Sequence, residues 1–585
     1  MDINDVRKVE STSVCPRVKL VTLGTCLKKD QRSQILTADS NDHPHSFHFF
    51  AAHLSQDYLI FRTPEINGSL KTISFFAFLL QNKEKDYTNL VLTLFLLLHF
   101  LILTVSALNS NGLALLSLMR RWTSVPPSIT SSWNGSDSTP CSWVGIICSS
   151  STHNVIYLNL TGYAISDRLG PEIAHLENLQ ILDLSDNSFS GVIPSQLSNC
   201  TLLESLDLSQ NFFAGEIPYS LKNLQSLKKL SLYNNILSGE IPQWLFQISH
   251  LETIFLDHNG FNGLIPWNVG NLSEVLSLWL DSNQLSGTIP DSIGNCSKLE
   301  QLGLSENQFV GVFPKSLNVL DNLVILDISN NSLVGNIHFG LGNCKNLESL
   351  ALSYNGFIGE LPQGLGNCSS LNELAIVGNQ LTGNIPSSYG LLDNLSLLYL
   401  TENQLSGRIP AELGKCKSLT ELNLYRNQPE GEIPSELGML SELQNLELFE
   451  NHLSGELKNL ESIILYDNQF FGVISQGLGV NSSLQILDLM NNQFTGQAPP
   501  NLCYRKHLGV LNLGQNHLQG SIPSDVGNCP TLWRLILSHN NLSGVLPEFP
   551  ESPNLSFMFI RDNNITGKIH QAWGTAPISL TSICP

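Results

Sequence analysis

An asparagine that returns every twenty-four residues constrains this chain more than any other feature. Asn187, Asn211, Asn235, Asn259, Asn283, Asn307, Asn331, Asn355, Asn379, Asn403, Asn427 and Asn451 keep that interval, and Asn468, Asn492, Asn516, Asn540 and Asn563 continue the series with two irregular steps. A fixed period of this length marks stacked supersecondary units, none of which buries its apolar side alone. Around each asparagine the text follows NLQILDLSDNSFSGVIPSQL, where Leu182 and Leu184 alternate as in a short strand and Gly191 and Pro194 close the turn. Stacking sets leucine on leucine and brings the strands about 4.8 Å apart in a parallel sheet. The expected fold is an α/β-type solenoid, a curved superhelix of about eighteen 24-residue repeats with the sheet on its concave side, counting an atypical first coil at Tyr163.

The asparagine is expected inside, its amide donating to turn carbonyls of neighbouring coils that otherwise lack partners. Proline seven places later, as at Pro194, Pro218, Pro242, Pro266 and Pro290, fixes the backbone and removes a donor on the outer side. Two departures stand out. Only seventeen residues separate Asn451 from Asn468, so that coil keeps its strand leucines and loses its outer Ile-Pro segment, which predicts a local kink. Pro429 replaces the leucine that follows the ladder asparagine, which predicts weaker packing there.

The LxxLxLxxNxLxGxIP text resembles the plant-specific class of leucine-rich repeats found in receptor-like kinases, and the resemblance covers Val155 to about Ile569. The preceding segment is similar to that family's amino-terminal cap, with helix-like GLALLSLMRRW at Gly112 to Trp122 and then CSWVGIIC. The cap text VPPSITSSWNGSDSTPCSWVGIIC, LGPEI at Leu169, GLGVNSSL at Gly477 and NNLSGVLPEF at Asn540 resemble the receptors for plant elicitor peptides, which sense damage. The expected organisation is an unassigned extension over 1–89, a signal-like segment over 90–107, a cap over 108–154, the solenoid over 155–570 and an irregular tail over 571–585 with no closing cap.

Leu90 to Val105 is almost wholly apolar and is followed by Val105-Ser106-Ala107, which fits an export signal cleaved after Ala107. The rival is an anchor retained in the membrane, but sixteen apolar residues that include a His and two Thr are short for a span of roughly twenty. Residues 1–89 carry no repeat and fit a misjoined or alternative first exon. Full members of the resembled family carry an intracellular Ser/Thr kinase, whose glycine-loop and catalytic-loop text does not occur here. The chain is therefore expected not to be an enzyme, as a truncated receptor, a splice form or a soluble decoy.

Cys141 and Cys148 are the best disulfide candidates in an exported chain and would pin the cap over the first coil. Cys200, Cys296, Cys344, Cys368, Cys416 and Cys529 all sit thirteen places after a ladder asparagine, which argues for buried apolar slots and free thiols. Metal binding is the sharper alternative, but no histidine pattern or close cysteine pair supports it, so neither metal nor other cofactor is expected. Asn-x-Ser/Thr sequons at Asn134, Asn159, Asn271, Asn394, Asn481 and Asn541 suit glycosylation of an exported surface protein, and the plainer reading is that repeats rich in Asn and Ser generate sequons by chance.

Net charge is -20; residues 1–107 carry 11 basic against 10 acidic residues, which leaves -21 on the remainder. Such a surface repels phosphate backbones and steers cationic ligands inward, so a basic peptide is the expected partner and nucleic acid is not. Residues between the strand leucines are expected on the open concave face. Asp183, Asp207, Asp327 and Asp488 follow the repeat text and read as a solvated face. Tyr233, Phe255, Trp279, Tyr354, Tyr399, Tyr425, Phe449 and Tyr466 place large rings where solubility favours small polar groups, and rings are typical interface anchors. Interleaved with them, Asp257, Asp281, Glu306, Glu373, Glu402, Glu421, Glu447, Glu450 and Asp467 form an acidic trough suited to an extended Lys/Arg-rich peptide.

Arg426 and Arg534 are candidates to grip the peptide's terminal carboxylate, the plainer reading being that they balance nearby acids. The resemblance further implies a shorter leucine-rich-repeat co-receptor kinase, bridged by the peptide near the carboxyl-terminal coils. The rival function is a soluble leucine-rich-repeat inhibitor of secreted pectin-degrading enzymes. Those proteins are shorter and end in a disulfide-bonded cap.

Overall fold

The computed structural model describes residues 108–339, 344–454, 462–480, 484–549 and 554–567. The extension, the signal-like segment, the tail and the Asn481 sequon lie outside them.

The described residues begin with a cap built on tryptophan. Helix Ser110–Met119 starts where the Asn109 side chain accepts from Gly112 N, satisfying one of the free donors of the first turn. Trp122, Trp133 and Trp143 then pack in series, with ring centroids 5.9 and 5.6 Å apart, and Trp122 meets Phe189 at 5.6 Å. These rings cover the apolar end of the first coil. Cys141 and Cys148 form the expected disulfide, Cα to Cα 5.4 Å.

From there the strands stack as the period demands. One sheet has nineteen strands, the antiparallel Ile146–Cys148 and then the parallel series from Val155–Asn159 to Phe557–Phe559. Register advances by one repeat per strand, so Leu182 pairs with Leu206 and Leu206 with Leu230, and these leucines are fully buried or nearly so. Leucine in register closes a continuous apolar core.

The ladder asparagines complete that core. The Asn403 amide donates to the carbonyls of Ile376, Leu400 and Thr401 at 2.7, 3.2 and 3.1 Å, and its Oδ1 accepts from Leu381 N at 3.1 Å. One side chain thus ties its own coil to the one before it. The same pattern recurs from Asn187 to Asn563. Beyond the asparagine a second layer of short strands forms, and most of the outer prolines are followed by a single 3-10 turn such as Ser195–Asn199, whose Leu197 N donates to Pro194 O.

That second layer records both departures. It runs unbroken over eleven strands to Gln404–Ser406, continues as the pair Glu430–Glu432 and His452–Ser454, and resumes as five strands from Phe471–Val473. In regular coils the residue two places after the asparagine donates to the next asparagine, as Leu405 N does to Asn427. Pro429 has no N–H, and Asn451 Oδ1 takes its proton from Asn427 N instead, at 3.0 Å. Pro429→Leu is therefore expected to restore the regular bond and stabilise the fold by about 1 kcal/mol, read as a rise in the denaturant midpoint with unchanged slope.

The seventeen-residue coil keeps its place in the inner sheet, with Ile463 paired to Leu446 and Leu487. Asn468 still bridges it, from Leu448 O at 2.8 Å to Leu453 N at 3.2 Å. The kink expected there falls on residues 455–461, outside the described range.

The cysteine reading needs one correction. Cys200, Cys296 and Cys416 are buried free thiols as expected. Cys344 and Cys368, however, are joined, Cα to Cα 4.8 Å, and Cys529 is joined to Cys503. Equal phase in consecutive coils puts the Cα atoms of Cys344 and Cys368 one strand spacing apart, within the Cα range that a disulfide spans. The three free thiols have no such neighbour, and burial pushes Cys200 up to about 12 and Cys296 and Cys416 up to about 11.

Candidate functional site

The inner sheet offers four columns of side chains, six, four, two and one places before each ladder asparagine. Phe255, Trp279, Glu373, Glu421, Glu447 and Arg534 lie on the strands themselves and are half-buried. Tyr233, Asp257, Tyr425, Phe449 and Tyr466 follow just after their strands, also half-buried. Glu306, Tyr354, Glu402, Arg426, Glu450 and Asp467 occupy the last column, in a turn where the backbone is left-handed with φ from 53 to 55°. That column edges the face rather than flooring it. Asp281 and Tyr399 are not open at all, at 6% and 8% exposed, because neighbouring coils close over them.

Three groupings emerge. Tyr425, Phe449 and Tyr466 stack face to face, with centroids 4.2 and 4.3 Å apart and planes within 16°. The short coil contributes Tyr466 to this stack. Beside it, Arg426 lies between Glu402 and Glu450, bonded to them at 2.6 and 2.8 Å, so the one guanidinium is shared by two acids and offsets one of their two charges. Arg426 is thus already engaged by carboxylates, whereas Arg534 lies over the Phe557 ring at 5.2 Å.

The third grouping is acidic. Tyr399 Oη donates to Glu421 at 2.6 Å, and Ser349 Oγ donates to Glu373 at 3.2 Å. Burial raises the Glu373 and Glu447 carboxyls above the ordinary range, and the charge of Glu421 adds to the effect at Glu447. Between Tyr399 and Glu447 in register stands Asn423, whose Oδ1 is buried without a hydrogen-bond partner. Upstream, burial and then Asp327 push Asp281 up to about 7. Its Oδ1 accepts from Ser305 N and Oγ at 2.6 and 2.8 Å, while Oδ2 has no partner.

Several residues of this face escaped the sequence reading. Asp327 and Asp488 look like repeat text, yet burial raises both, Asp488 to about 6. His258 bonds Asp257 at 3.1 Å, and Gly303 interrupts the column of Phe255, Trp279 and Asp327. The glycine was the one visible signal. Among the sequons, Asn134, Asn271, Asn394 and Asn541 are exposed, whereas Asn159 is half-buried with its amide bonded to Tyr157 Oη and Asp183. Among the described residues no group of His, Cys, Asp and Glu is arranged to hold a metal ion, and no helix is long and apolar enough to cross a membrane.

Comparison with known proteins matches this architecture. A model described as "Leucine rich repeat N-terminal domain" fits residues 108–149, one described as "Leucine-rich repeat region" fits 307–465, and single leucine-rich repeats fit eight stretches between 178 and 552. The receptor-like protein kinase PEPR1 of Arabidopsis thaliana is 52% identical over 89 residues, 15% of this chain and 8% of its own length. A receptor-like protein kinase of Ipomoea nil is 60% identical over 74 residues, 13% of this chain and 7% of its own. The chain thus aligns with under a tenth of these curated relatives.

Solved structures extend the likeness. The Arabidopsis receptor kinase HAESA, in complex with the peptide hormone IDA and the co-receptor SERK1, is 32% identical over 80% of this chain and 89% of its own, with a TM-score of 0.68. The PEPR1–AtPEP1 structure covers 80% of this chain with a TM-score of 0.73. At 49% identity across 70% of that PEPR1 chain, this protein belongs to the plant leucine-rich-repeat receptor-like kinases.

Proposed function

We propose that this chain is an extracellular receptor ectodomain that binds an extended, Lys/Arg-rich peptide along its concave face and senses an endogenous elicitor in plant defence signalling. The observation that carries the reading is the three-ring stack of Tyr425, Phe449 and Tyr466 next to Glu421 and Glu447. Stacked rings give a rigid apolar platform at small entropic cost, and the recorded partner of Glu421 is a hydroxyl rather than a cation. The unpartnered Asn423 oxygen asks for a donor in the same place. A basic peptide brings both donors and charge.

Related receptors solved with peptides support this assignment, and the HAESA complex supports a further partner, a shorter leucine-rich-repeat co-receptor kinase that meets the bound peptide near the carboxyl-terminal coils. That the relatives are receptor kinases supports a location on the outer face of the plasma membrane or, for a truncated form, in the secreted fraction.

Titration calorimetry of the ectodomain with a basic elicitor peptide tests the reading. Trp279→Ala combined with Glu447→Ala is expected to weaken binding roughly tenfold, the loss of one ring anchor and one carboxylate contact. Affinity unchanged by the pair would remove the trough from the binding surface.

A further inference from the structure

We propose that Asn199, Asn271, Asn295 and Asn367 carry N-linked oligosaccharides, a row of sugar along the outer turns that shields apolar side chains standing bare there. The proposal rests on the extracellular reading, since this modification belongs to exported chains.

Each of the four asparagines closes a 3-10 turn, twelve places after a ladder asparagine, and opens an Asn-x-Ser/Thr sequon. The repeat therefore gives all four sequons one shape. The middle residue, Cys200, Leu272, Cys296 or Cys368, is fully buried. The asparagine before it and the hydroxyl residue after it are exposed. Ser273 N donates to Asn271 O at 2.9 Å, Ser297 N to Asn295 O at 2.9 Å and Ser369 N to Asn367 O at 3.0 Å, a tight bend that holds the asparagine at its crest.

The amides themselves are available. Among the described residues none of the four side-chain amides is hydrogen-bonded, whereas Asn394 and Asn554, also in sequons, donate theirs to Ser369 O and Pro530 O. The donor is an oligosaccharide carried on a lipid diphosphate. A bond forms between the asparagine Nδ2 and the anomeric carbon of the first sugar, and the bond from that carbon to the diphosphate oxygen breaks. The lipid diphosphate leaves with the electron pair, and the amide gives up one proton. The folded coil must then leave room for the product, and these four positions do.

An independent observation says what the sugar would do. Among the described residues five large apolar side chains of the 3-10 turns are exposed, namely Tyr219, Trp267, Val319, Leu391 and Met439. The first four neighbour a sequon of this row. Trp267 opens the turn that Asn271 closes. Tyr219, Val319 and Leu391 each lie in the turn after one that ends in a sequon asparagine. Those turns touch. Ser220 Oγ donates to Ser195 O at 2.7 Å and Ser388 Oγ to Gln363 O at 2.8 Å, and a Cβ on Gly294 would lie 2.7 Å from Ser316 O. With coils about 4.8 Å apart at the strands, the first sugar reaches its neighbour's apolar group, and its C–H face suits a ring or a branched chain.

The test uses the full chain secreted from plant cells. An amidase that releases N-linked sugars in heavy-oxygen water turns each carrier asparagine into a heavy aspartate, read by peptide mass spectrometry. Label is expected at Asn134 of the cap and at all four outer asparagines. Label at Asn134 with none in the row overturns the row and leaves the extracellular reading standing; no label anywhere overturns both.

Hydroxyl-radical footprinting reads the shielding. Oxidation of Tyr219, Trp267 and Leu391 is expected to rise severalfold when the sugars are removed from the folded chain. Met439, exposed on the turn Ser435–Met439 after one that ends in Lys415, should not change. Asn271→Gln, at an exposed position, should raise Trp267 and leave Tyr219 as it was. Equal rates with and without sugar would overturn the shielding.

Discussion

Asn403→Ala is expected to cost on the order of 4 kcal/mol of folding free energy, a loss of the size expected at any ladder asparagine that makes the same four bonds. The residue does what four partners would otherwise have to do. Its amide serves the carbonyls of Ile376, Leu400 and Thr401, and its oxygen takes the Leu381 N–H, all from a residue only 8% exposed. Each bond removed from a buried site costs about 1 kcal/mol or more, and alanine adds a cavity. Repeat folds are held by nearest-neighbour contacts, so the damage should be local in structure while breaking the cooperativity of the whole. Hydrogen exchange is expected to show lost protection around 376–403 first, and denaturant curves to broaden into two steps. Gln404→Ala, at the exposed next position, should change stability by less than about 0.5 kcal/mol. A cost for Asn403→Ala of similar size would mean that water takes the amide's place and that the ladder is not a structural necessity.

What could be read in the sequence is what repeats. The interval of Asn187 to Asn451 implied stacked strands, the leucine register and the asparagine ladder, because each depends only on the coil before and the coil after. The same interval held more than was taken from it. Arg426 stands twenty-four places from both Glu402 and Glu450, and Cys344 twenty-four from Cys368, so in a stacked fold each set is in contact. Phase taken one residue at a time suggests free thiols at Cys344 and Cys368; taken across stacked coils it joins them. Other features depend on which side chain leans over which neighbour, and no period encodes that. Tyr399 sinks because Glu421 draws its hydroxyl across, Asp281 because Gly303 leaves room, and burial raises Asp327 and Asp488, which the sequence shows only as repeat text. Pro429 was legible as a fault, but the rerouting of the Asn451 bond to Asn427 followed from the stacked geometry alone.

The ectodomain is expected to unfold at higher temperature at pH 5 than at pH 7.5, and to hold a basic peptide more weakly at pH 5. Both follow from carboxyls whose protons are held tightly in the folded chain. Burial, then Asp327, pushes Asp281 up to about 7, and burial, against an Asn512 hydrogen bond, pushes Asp488 up to about 6; Asp327, Glu373 and Glu447 move the same way. In the unfolded chain these groups ionise near 4. Their contribution to stability is complete below that value and is lost as pH rises through about 6 to 7, since there the folded state binds more protons than the unfolded one. Glu172 runs the other way: burial, the largest single cause, raises it, but the Arg121 hydrogen bond, a backbone hydrogen bond and the charges of Arg121 and His175 together lower it on balance, so its contribution falls away only in stronger acid. Between pH 5 and 7.5 the raised group therefore prevails, with a difference on the order of 3 kcal/mol and several degrees in melting temperature. A cationic ligand needs the same carboxyls ionised, so its binding releases protons, and affinity should fall tenfold or more on going from pH 7.5 to pH 5. Calorimetry in buffers of different ionisation enthalpy reads that release directly. Asp281→Asn should flatten part of both curves. A melting temperature that peaks at pH 7.5, or peptide affinity indifferent to pH, would mean that these acids are hydrated in solution and that the concave face is neither as dry nor as receptive to cations as its packing implies.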